Sequence, residues 1–522
     1  MNKNIKKSRQ LLALCLIAVP WLLVNTSYAS NSGASESGAV NKTSKPNILF
    51  LLTDDQTVNT INALGNKAIK TPNLDRLARD GTSFSHVFNQ GSWSPAVCAP
   101  SRAMINTGRN TYRTGFGPKK SGRESYPLWG ETFRKAGYET FMSGKWHVTK
   151  DAFVRSFDLG KAVYAGGMSR KEDGGQWQPA MWDYDASKAK KDNFIVYKKK
   201  QHSSEQIAAA AVDYLQTKAS RNDKPFLMYV AFLAPHDPRQ SPQSYVDMYP
   251  GEAIALPGSY MAQHDFDLGD YTVRDEQLLP FPREPEAIKS FIGEYYAMIT
   301  HLDEQIGKIL DSLEQSEFNE NTIVVMTSDH GLAVGKHGLL GKQNQYDHSI
   351  RAPFLIKGKG IAAGRVAKGM FYINSVFPTT AELAGIEIPD SVDAPSIVPL
   401  INGETDTMFT HIVGSYRHFQ RMVRNDRYKL IYYPMVKKTQ LFDLVNDPEE
   451  LRNIAELPQH QKTIKALRVE LEKLKKWTGD PLIDSDPKGS YANYLGEVRC
   501  DWQMTQNDCT APKQRKNKRK SH

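Results

Sequence analysis

The chain has 522 residues, 40% hydrophobic and 24% charged, which fits a large globular protein of more than one structural unit without internal repeats or long low-complexity segments. Its formal net charge is +10. Four basic residues before residue 30 and six after Ala511 account for all of that charge, so the body is neutral overall and bulk charge gives no argument for nucleic acid or another polyanion.

In chain order, the first segment reads as a signal peptide. Lys3, Lys6, Lys7 and Arg9 form a basic start, and Leu11 to Val24 form an apolar run too short to span a bilayer comfortably. Ser27-Tyr28-Ala29 offers a small-x-small cleavage site. Pro20 interrupts the run, so no transmembrane anchor is expected, and export to the periplasm or medium is. Residues 30–45 are rich in Ser, Gly and Asn and read as a flexible lead-in.

Pro46 to Thr53 is a continuous apolar run ending at Asp54-Asp55, as a strand buried on both faces reads. Thr71 to Gly81 has an N-cap residue, a proline at the first helical position and a glycine stop, which predicts a helix. Tyr138 to Met142 predicts a short strand before Gly144-Lys145-Trp146-His147, and Ser204 to Thr217 a helix. Phe226 to Leu233 predicts a buried strand before Pro235-His236. Pro285 to Glu314 repeats apolar residues at helical spacing, and Thr322 to Thr327 is a strand before Ser328-Asp329-His330-Gly331. After about Gly403 the texture changes to antiparallel strands at Tyr428 to Tyr433 and Gln440 to Leu444, then an amphipathic helix at Gln461 to Trp477.

Strands alternating with helices predict an α/β fold: a large, mostly parallel sheet flanked by helices, with a smaller C-terminal α+β subdomain. The expected division is signal peptide 1–29, lead-in 30–45, catalytic domain 46–403, C-terminal subdomain 404–490, and a loop with basic tail at 491–522. Asp54, Asp55, Lys145, His147, His236 and Asp329 all fall just after predicted strands, where parallel sheets bind ligands. They are therefore expected to converge on one sheet edge. Adjacent carboxylates at Asp54 and Asp55, with Asp329 beside them, need a cation, and oxygen ligands suit calcium or magnesium.

The cysteines add a constraint. Cys15 leaves with the signal, and Cys500 and Cys509 are close enough to pair in an oxidising compartment. Cys98 is then the odd thiol. It begins Cys98-Ala99-Pro100-Ser101-Arg102, a C-x-P-S-R pentapeptide before a predicted helix start at Ser101, whose dipole favours anions.

With this pentapeptide, D-D, G-K-x-H, P-H and S-D-H-G, the chain resembles the type I sulfatases of the alkaline phosphatase superfamily from about Lys45 to about Asp480. His330 and the placing of Lys342 are similar to the iduronate-2-sulfatase-like branch, and the stretch from Ser328 to Asn344 looks like bacterial polysaccharide sulfatases. The resemblance implies that a maturation enzyme oxidises Cys98 to formylglycine, whose hydrate attacks sulfur. It implies a calcium ion, rather than magnesium, held by Asp54, Asp55, Asp329 and His330 and touching residue 98. His330 alternatively hydrogen-bonds the nucleophile or the sulfate, because imidazole suits calcium poorly. By the same resemblance, Arg102 stabilises the hydrate and Lys145 and Lys342 neutralise sulfate and leaving-group oxygens. His147 deprotonates the hydrate to expel sulfate, His236 serves the leaving oxygen, and Asp329 doubles as a base for attack.

The implied activity is hydrolysis of a sulfate ester on a carbohydrate. The expected substrate is an algal polysaccharide such as carrageenan or ulvan, with host glycosaminoglycans behind it. Two alternatives remain open: a phosphonate or phosphate monoester hydrolase of the same superfamily, and a non-catalytic carbohydrate-binding relative with an eroded site. His337, Asn344, Gln345 and His348 either line the substrate mouth or make structural hydrogen bonds. Trp177 and Trp182, among many Lys and Arg residues between 150 and 201, either face a sulfated sugar or pack in the core of an insertion. Residues 238–284 are poorly periodic and expected to form another cleft wall. The basic tail either rests on an anionic surface or is a solvated end.

Overall fold

The computed structural model describes residues 45–116, 126–218, 221 and 223–495. The expected signal peptide, nearly all of the lead-in, the Cys500–Cys509 pairing and the basic tail lie outside these residues. Among the described residues, Cys98 is the one cysteine, buried and unpaired. No described helix is long and apolar enough to cross a membrane.

The strands are β1 Asn47–Thr53, β2 Thr82–Phe88, β3 Gly91–Ser92, β4 Glu139–Lys145, β5 Leu159–Tyr164, β6 Ala180–Asp185, β7 Phe194–Lys198 and β8 Phe226–Ala231. They continue with β9 Thr322–Ser328, β10 Arg351–Lys357, β11 Arg365–Ala367, β12 Phe371–Tyr372, β13 Ile412–Tyr416, β14 Gln420–Arg424, β15 Tyr428–Tyr433 and β16 Lys438–Asp443. The large sheet runs β11-β2-β10-β9-β1-β8-β4-β5-β6-β7, with β12 on β2. Its centre, β9 through β5, is parallel, while β10 and the β5-β6-β7 end pair antiparallel.

The apolar run of β1 is explained by this central place. Successive strand side chains point to opposite faces. Ile48, Phe50 and Leu52 enter one core with Trp129 and Phe133, whereas Leu49 and Leu51 enter the other with Leu74, Ile207 and Leu302. Helices Cys98–Thr107, Trp129–Lys135 and Val376–Leu383 cover the first face; Pro72–Asp80, Ser203–Lys218 and Pro285–Glu314 cover the second. Both faces being dry, every residue of β1 is buried.

Several elements differ from the sequence reading. The strand expected to end at Met142 continues to Lys145, so Lys145 is its last residue. Gly144 permits this: it has φ +91°, and a Cβ there would lie 1.8 Å from the Ala231 carbonyl oxygen. Thr71 gives its helix no side-chain cap; its hydroxyl instead binds Asp75 and the Asn62 amide. Residues 159–198 extend the large sheet by three strands. The second sheet runs β16-β15-β14-β13-β3, so Gly91-Ser92, just before the C-x-P-S-R motif, pairs with C-terminal β13.

Candidate active site

Four adjacent parallel strands, β9-β1-β8-β4, deliver their carboxyl ends to one place. β1 ends into Asp54-Asp55, β9 into Asp329-His330, β4 at Lys145 with His147 two residues on, and β8 leads through Ala234-Pro235 to His236. The backbone stitches these ends together. The Asp54 amide donates to the Ala234 carbonyl (3.1 Å) and the Asp329 amide to that of Thr53 (3.2 Å). Tyr295 from the long helix donates to the Asp55 carbonyl at 2.5 Å.

Cys98 opens the helix Cys98–Thr107 and is 2% exposed. Ser101 Oγ donates to the Asp329 carbonyl (2.5 Å), and Asn89 Nδ2 reaches both groups at 2.8 Å. The helix start is thereby fixed to the end of β9, with its positive dipole end at the cluster. Arg102, one turn on and fully buried, places Nε 3.1 Å from Asp329 Oδ2 and Nη2 3.7 Å from Asp54 Oδ1. It also donates from Nη1 to the Lys145 carbonyl at 2.5 Å. Lys145 Nζ donates to Asp54 Oδ2. Lys342 Nζ lies 2.8 Å from both Asp55 oxygens and 3.3 Å from Cys98 Sγ.

Two groups of mixed oxygen, nitrogen and sulfur ligands could hold a metal. Single atoms of Asp54, Cys98, Asp329 and His330 lie within 4.8 Å of one another, as do those of Asp55, Cys98 and His236. Asp54 Oδ1 and His330 Nε2 are buried without a hydrogen-bond partner. His330 Nδ1 hydrogen-bonds the Gly331 carbonyl at 2.9 Å, which leaves Nε2 facing Asp55 (3.1 Å) and Asp329 (3.5 Å). This donor set fits a hard divalent cation. Burial, then Asp329 and Cys98, push Asp54 up to about 6 despite Lys145, as expected for carboxylates crowded away from water.

The two candidate proton carriers are tuned apart. Burial pushes His147 below the usual imidazole value, and its Nδ1 has no hydrogen-bond partner. His147 holds φ +52°, with its ring so close to Gly167 that a Cβ there would lie 2.7 Å away. For His236, burial and Lys342 oppose protonation, but Asp55 and Asp237 win and hold it well above the usual value. Its Nδ1 lies 3.2 Å from Asp237 Oδ1, and Arg274 clamps Asp237 through both guanidinium nitrogens. The Cys98 thiol is held well below its usual range: burial would raise it, but Lys145, Lys342, His147 and His236 prevail.

A cavity of about 240 Å³ opens onto Cys98, His147, His236 and Lys342. Its further walls are Pro95-Ala96, Gly167-Met168 and Val273-Arg274-Asp275 with Gln343. A wall from residues 238–284 was expected, but Asp237, Arg274 and Asp275 were not singled out. Asp237 follows His236 directly and could have been read as its orienting carboxylate. Arg274 and Asp275 sit in an aperiodic stretch and left no sequence signal. Larger cavities, of about 430 Å³ beside Asn59 and Tyr296 and about 490 Å³ beside Glu205 and Gln305, hold none of the candidate residues.

Four substrate candidates are placed elsewhere. Trp182 is buried against Phe153 and Phe194 and belongs to the core, because β6 turns that face inward. Asn344 spends its amide on the Gly341 carbonyl and the Tyr346 amide inside its own loop. His337 stacks on Tyr346, donates from Nε2 to the Glu450 carbonyl at 3.1 Å and meets His348 at 3.2 Å. Neither Asn344 nor His337 lines the cavity at Cys98. Trp177 alone is on the surface, 41% exposed, with its edge against His202.

The loop that carries Lys342 is anchored from two sides. Glu276 accepts the Leu340 amide at 3.0 Å and the Gly341 amide at 2.8 Å and pairs with buried Arg283. Asp347 binds Arg424 Nη1 (2.6 Å) and Lys429 Nζ (2.8 Å) of the second sheet.

Known proteins resemble this chain over most of its length. The Sulfatase family description matches residues 46–386, and that of the N-sulphoglucosamine sulphohydrolase C-terminal region matches 335–477. The chain is 27% identical over 524 residues to an N-acetylglucosamine-6-O-sulfatase of Bacteroides thetaiotaomicron, covering 85% of this chain and 88% of that protein. It is 30% identical over 468 residues to an ulvan-active sulfatase of Formosa agariphila, covering 86% and 85%. A solved structure in complex with its substrate, D-glucosamine-2-N,6-O-disulfate, superposes with TM-score 0.69 at 24% identity, covering 84% of this chain and 99% of that one; at that identity the likeness is one of fold.

Proposed function

The chain belongs to the sulfatase family, and from that membership we propose that this sulfuric ester hydrolase removes sulfate from a sulfated polysaccharide or its oligosaccharides, after conversion of Cys98 to formylglycine and with calcium as its metal. The observation that carries the reading is the convergence on buried Cys98 of Asp54, Asp55 and Asp329 with Arg102, Lys145, His147, His236 and Lys342. A non-catalytic relative would not need that full set. The relatives' activities toward N-acetylglucosamine sulfate and ulvan support a sugar as the sulfate carrier. The signal-type segment at 1–29 supports export.

In this proposal each residue has one task. A maturation enzyme replaces the Cys98 thiol by an aldehyde, whose hydrate carries two hydroxyls at the helix start. One hydroxyl, giving its proton to Asp329, attacks sulfur while the sulfur–oxygen bond to the sugar breaks. Lys145 and Lys342 are placed to offset charge on the sulfate and departing oxygens, and Arg102 to hold the hydrate. His236, protonated through Asp237 and Asp55, gives the sugar oxygen its proton. His147, kept neutral by burial, takes the proton from the remaining hydroxyl, which expels sulfate and restores the aldehyde. When bound, calcium supplies positive charge toward the sulfate and balances Asp54, Asp55 and Asp329.

The test is to incubate matured enzyme with a panel of sulfated polysaccharides, their oligosaccharides and an aryl phosphate, and to measure released anions by ion chromatography. Sulfate release from a carbohydrate, with slower phosphate release, is expected. Phosphate turnover equal to or faster than sulfate turnover overturns the reading in favour of a phosphate or phosphonate ester hydrolase.

A further inference from the structure

We propose that the β6–β7 hairpin and the lysines following it form a second binding surface, outside the catalytic pocket, for the polyanionic chain of a sulfated polysaccharide. The inference rests on the substrate class proposed above and adds how the polymer is held.

The Trp177 end of this surface is continuous with the pocket, whereas the loop lysines lie at the other end of the hairpin, where β6 ends beside the start of β5. Gly167 and Met168 line the cavity at Cys98. Further along the same segment, Gln176 Nε2 donates to the His236 carbonyl at 3.0 Å. The next residue, Trp177, is exposed, and its carbonyl accepts the Gln201 amide at 3.0 Å. Gln201 follows Lys198-Lys199-Lys200 directly. A large aromatic face, the kind that stacks on sugar rings, thus stands between the catalytic histidine's backbone and a run of cations.

The charge is concentrated there. Between 180 and 200 the chain carries Lys188, Lys190, Lys191, Lys198, Lys199 and Lys200 against Asp183, Asp185 and Asp192, although the body from 30 to 511 is neutral overall. All six lysines are exposed. Among the described residues none of the six has a carboxylate partner within 4.0 Å; Lys198 instead donates to the Asp173 carbonyl at 3.3 Å. The nearby Asp183 is engaged by Lys161. Neighbouring lysines within each trio act together on an anionic chain, since screening extends over about 10 Å at 0.1 M salt; the two trios are separated by β7, about 16 Å long, a span that an extended polymer bridges.

Protection of the sheet edge does not account for them. β7 is the last strand of the large sheet, and Ile195 and Val196 are 64% and 71% exposed. Charge that blocks edge-to-edge pairing belongs on the strand, yet of the six only Lys198 lies in β7. Three others are in the hairpin loop and two follow the strand.

The experiment compares matured parent enzyme with Lys188→Gln/Lys190→Gln/Lys191→Gln, confined to the loop, and with a variant also carrying Lys198→Gln, Lys199→Gln and Lys200→Gln. Each is run through gels containing dextran sulfate or neutral dextran, then assayed on sulfated polysaccharide and on 4-nitrophenyl sulfate. Dextran sulfate is expected to retard the parent and to retard the variants progressively less. KM for the polymer should rise about tenfold in the six-lysine variant, because six weak, exposed attractions to the polymer are removed together, with 4-nitrophenyl sulfate turnover unchanged. Equal retardation and equal polymer KM in parent and variants overturn the proposal. So does binding to anionic phospholipid vesicles without binding to dextran sulfate. Lysine-dependent retardation without sulfate release from any carbohydrate would uphold the surface and refute the catalytic substrate instead.

Discussion

Replacing Asp237 by Asn tests the proton-donor assignment most sharply. Asp237 lies 3.2 Å from His236 Nδ1, and Asn keeps the shape but removes the charge. His236 Nδ1 hydrogen-bonds the Asp237 carbonyl at 2.8 Å, which Asn retains, so the variant removes only the neighbouring charge; an opposite charge this close shifts a pKa by about 1–3 units, and about 1–2 units is expected on His236. Because Asp237 and Asp55 raise His236 against burial and Lys342, its loss lowers that pKa. The alkaline limb of the kcat profile should therefore move down by about 1–2 pH units. A sugar sulfate, whose leaving oxygen needs the proton, should lose more turnover than 4-nitrophenyl sulfate, whose phenolate leaves unaided. The fold should survive, since Arg274 is partly exposed and retains Asp275 at 2.6 Å. Arg274→Gln should act in the opposite sense, because it frees Asp237 to hold His236 more strongly. An unmoved alkaline limb in Asp237→Asn, with equal losses on both substrates, would refute the assignment.

His147→Ala should lower kcat by roughly 10²–10⁴-fold on both substrate types, because restoring the aldehyde does not depend on the leaving group; a loss confined to sugar sulfates would contradict this. Asp54 binds its proton more tightly when folded, near 6 against 3.8 for the free group. Without metal its ionisation should therefore remove about 3 kcal/mol of stability as pH rises from 4 to 6. Calcium should restore that stability above pH 6, read as a Tm difference between calcium and chelator; identical Tm values at pH 7 would tell against a metal at this cluster. Asp347→Asn should leave buried Arg424 without its carboxylate, while Lys429 keeps Glu450 at 2.7 Å, and lower stability by about 3–5 kcal/mol, a fall in Tm of roughly 3–5 °C in a unit of this size. A fall of less than about 2 °C would show that the network is not a structural anchor.

Much of the frame was legible because central parallel strands write themselves as apolar runs. β1 and β9 are buried on both faces, and the polar residues that end them had to lie at one sheet edge. The amphipathic pattern of Pro285–Glu314 was equally direct, its buried stripe packing on the strand layer. The β4 strand was cut short because Gly144 reads as a stop, whereas here it admits the Ala231 carbonyl. β5, β6 and β7 were hidden because they form an outer antiparallel end, with the short apolar run Phe194 to Tyr197 of β7 set between lysines and largely exposed. Trp182 stayed open between sugar and core for the same reason, its lysine-rich neighbours concealing that β6 points it into the core. The polar loop from Gly335 to Ser349 suggested a substrate mouth. Its polarity is largely spent on ion pairs and ring stacking with the second sheet, which no local pattern announces. Arg274 and Asp275 are held by charge pairs rather than periodic packing, so the pocket wall they form is visible only in three dimensions.

The central claim is that residue 98 works as an aldehyde and not as a thiol. Enzyme produced with and without a maturation enzyme gives preparations with different converted fractions. Mass spectrometry of the peptide containing residue 98 measures that fraction, through loss of sulfur and two hydrogens and gain of oxygen. Sulfate release per molecule should rise in proportion to the converted fraction and vanish at zero conversion. Full sulfatase activity in a preparation whose Cys98 remains an unmodified thiol would contradict the account.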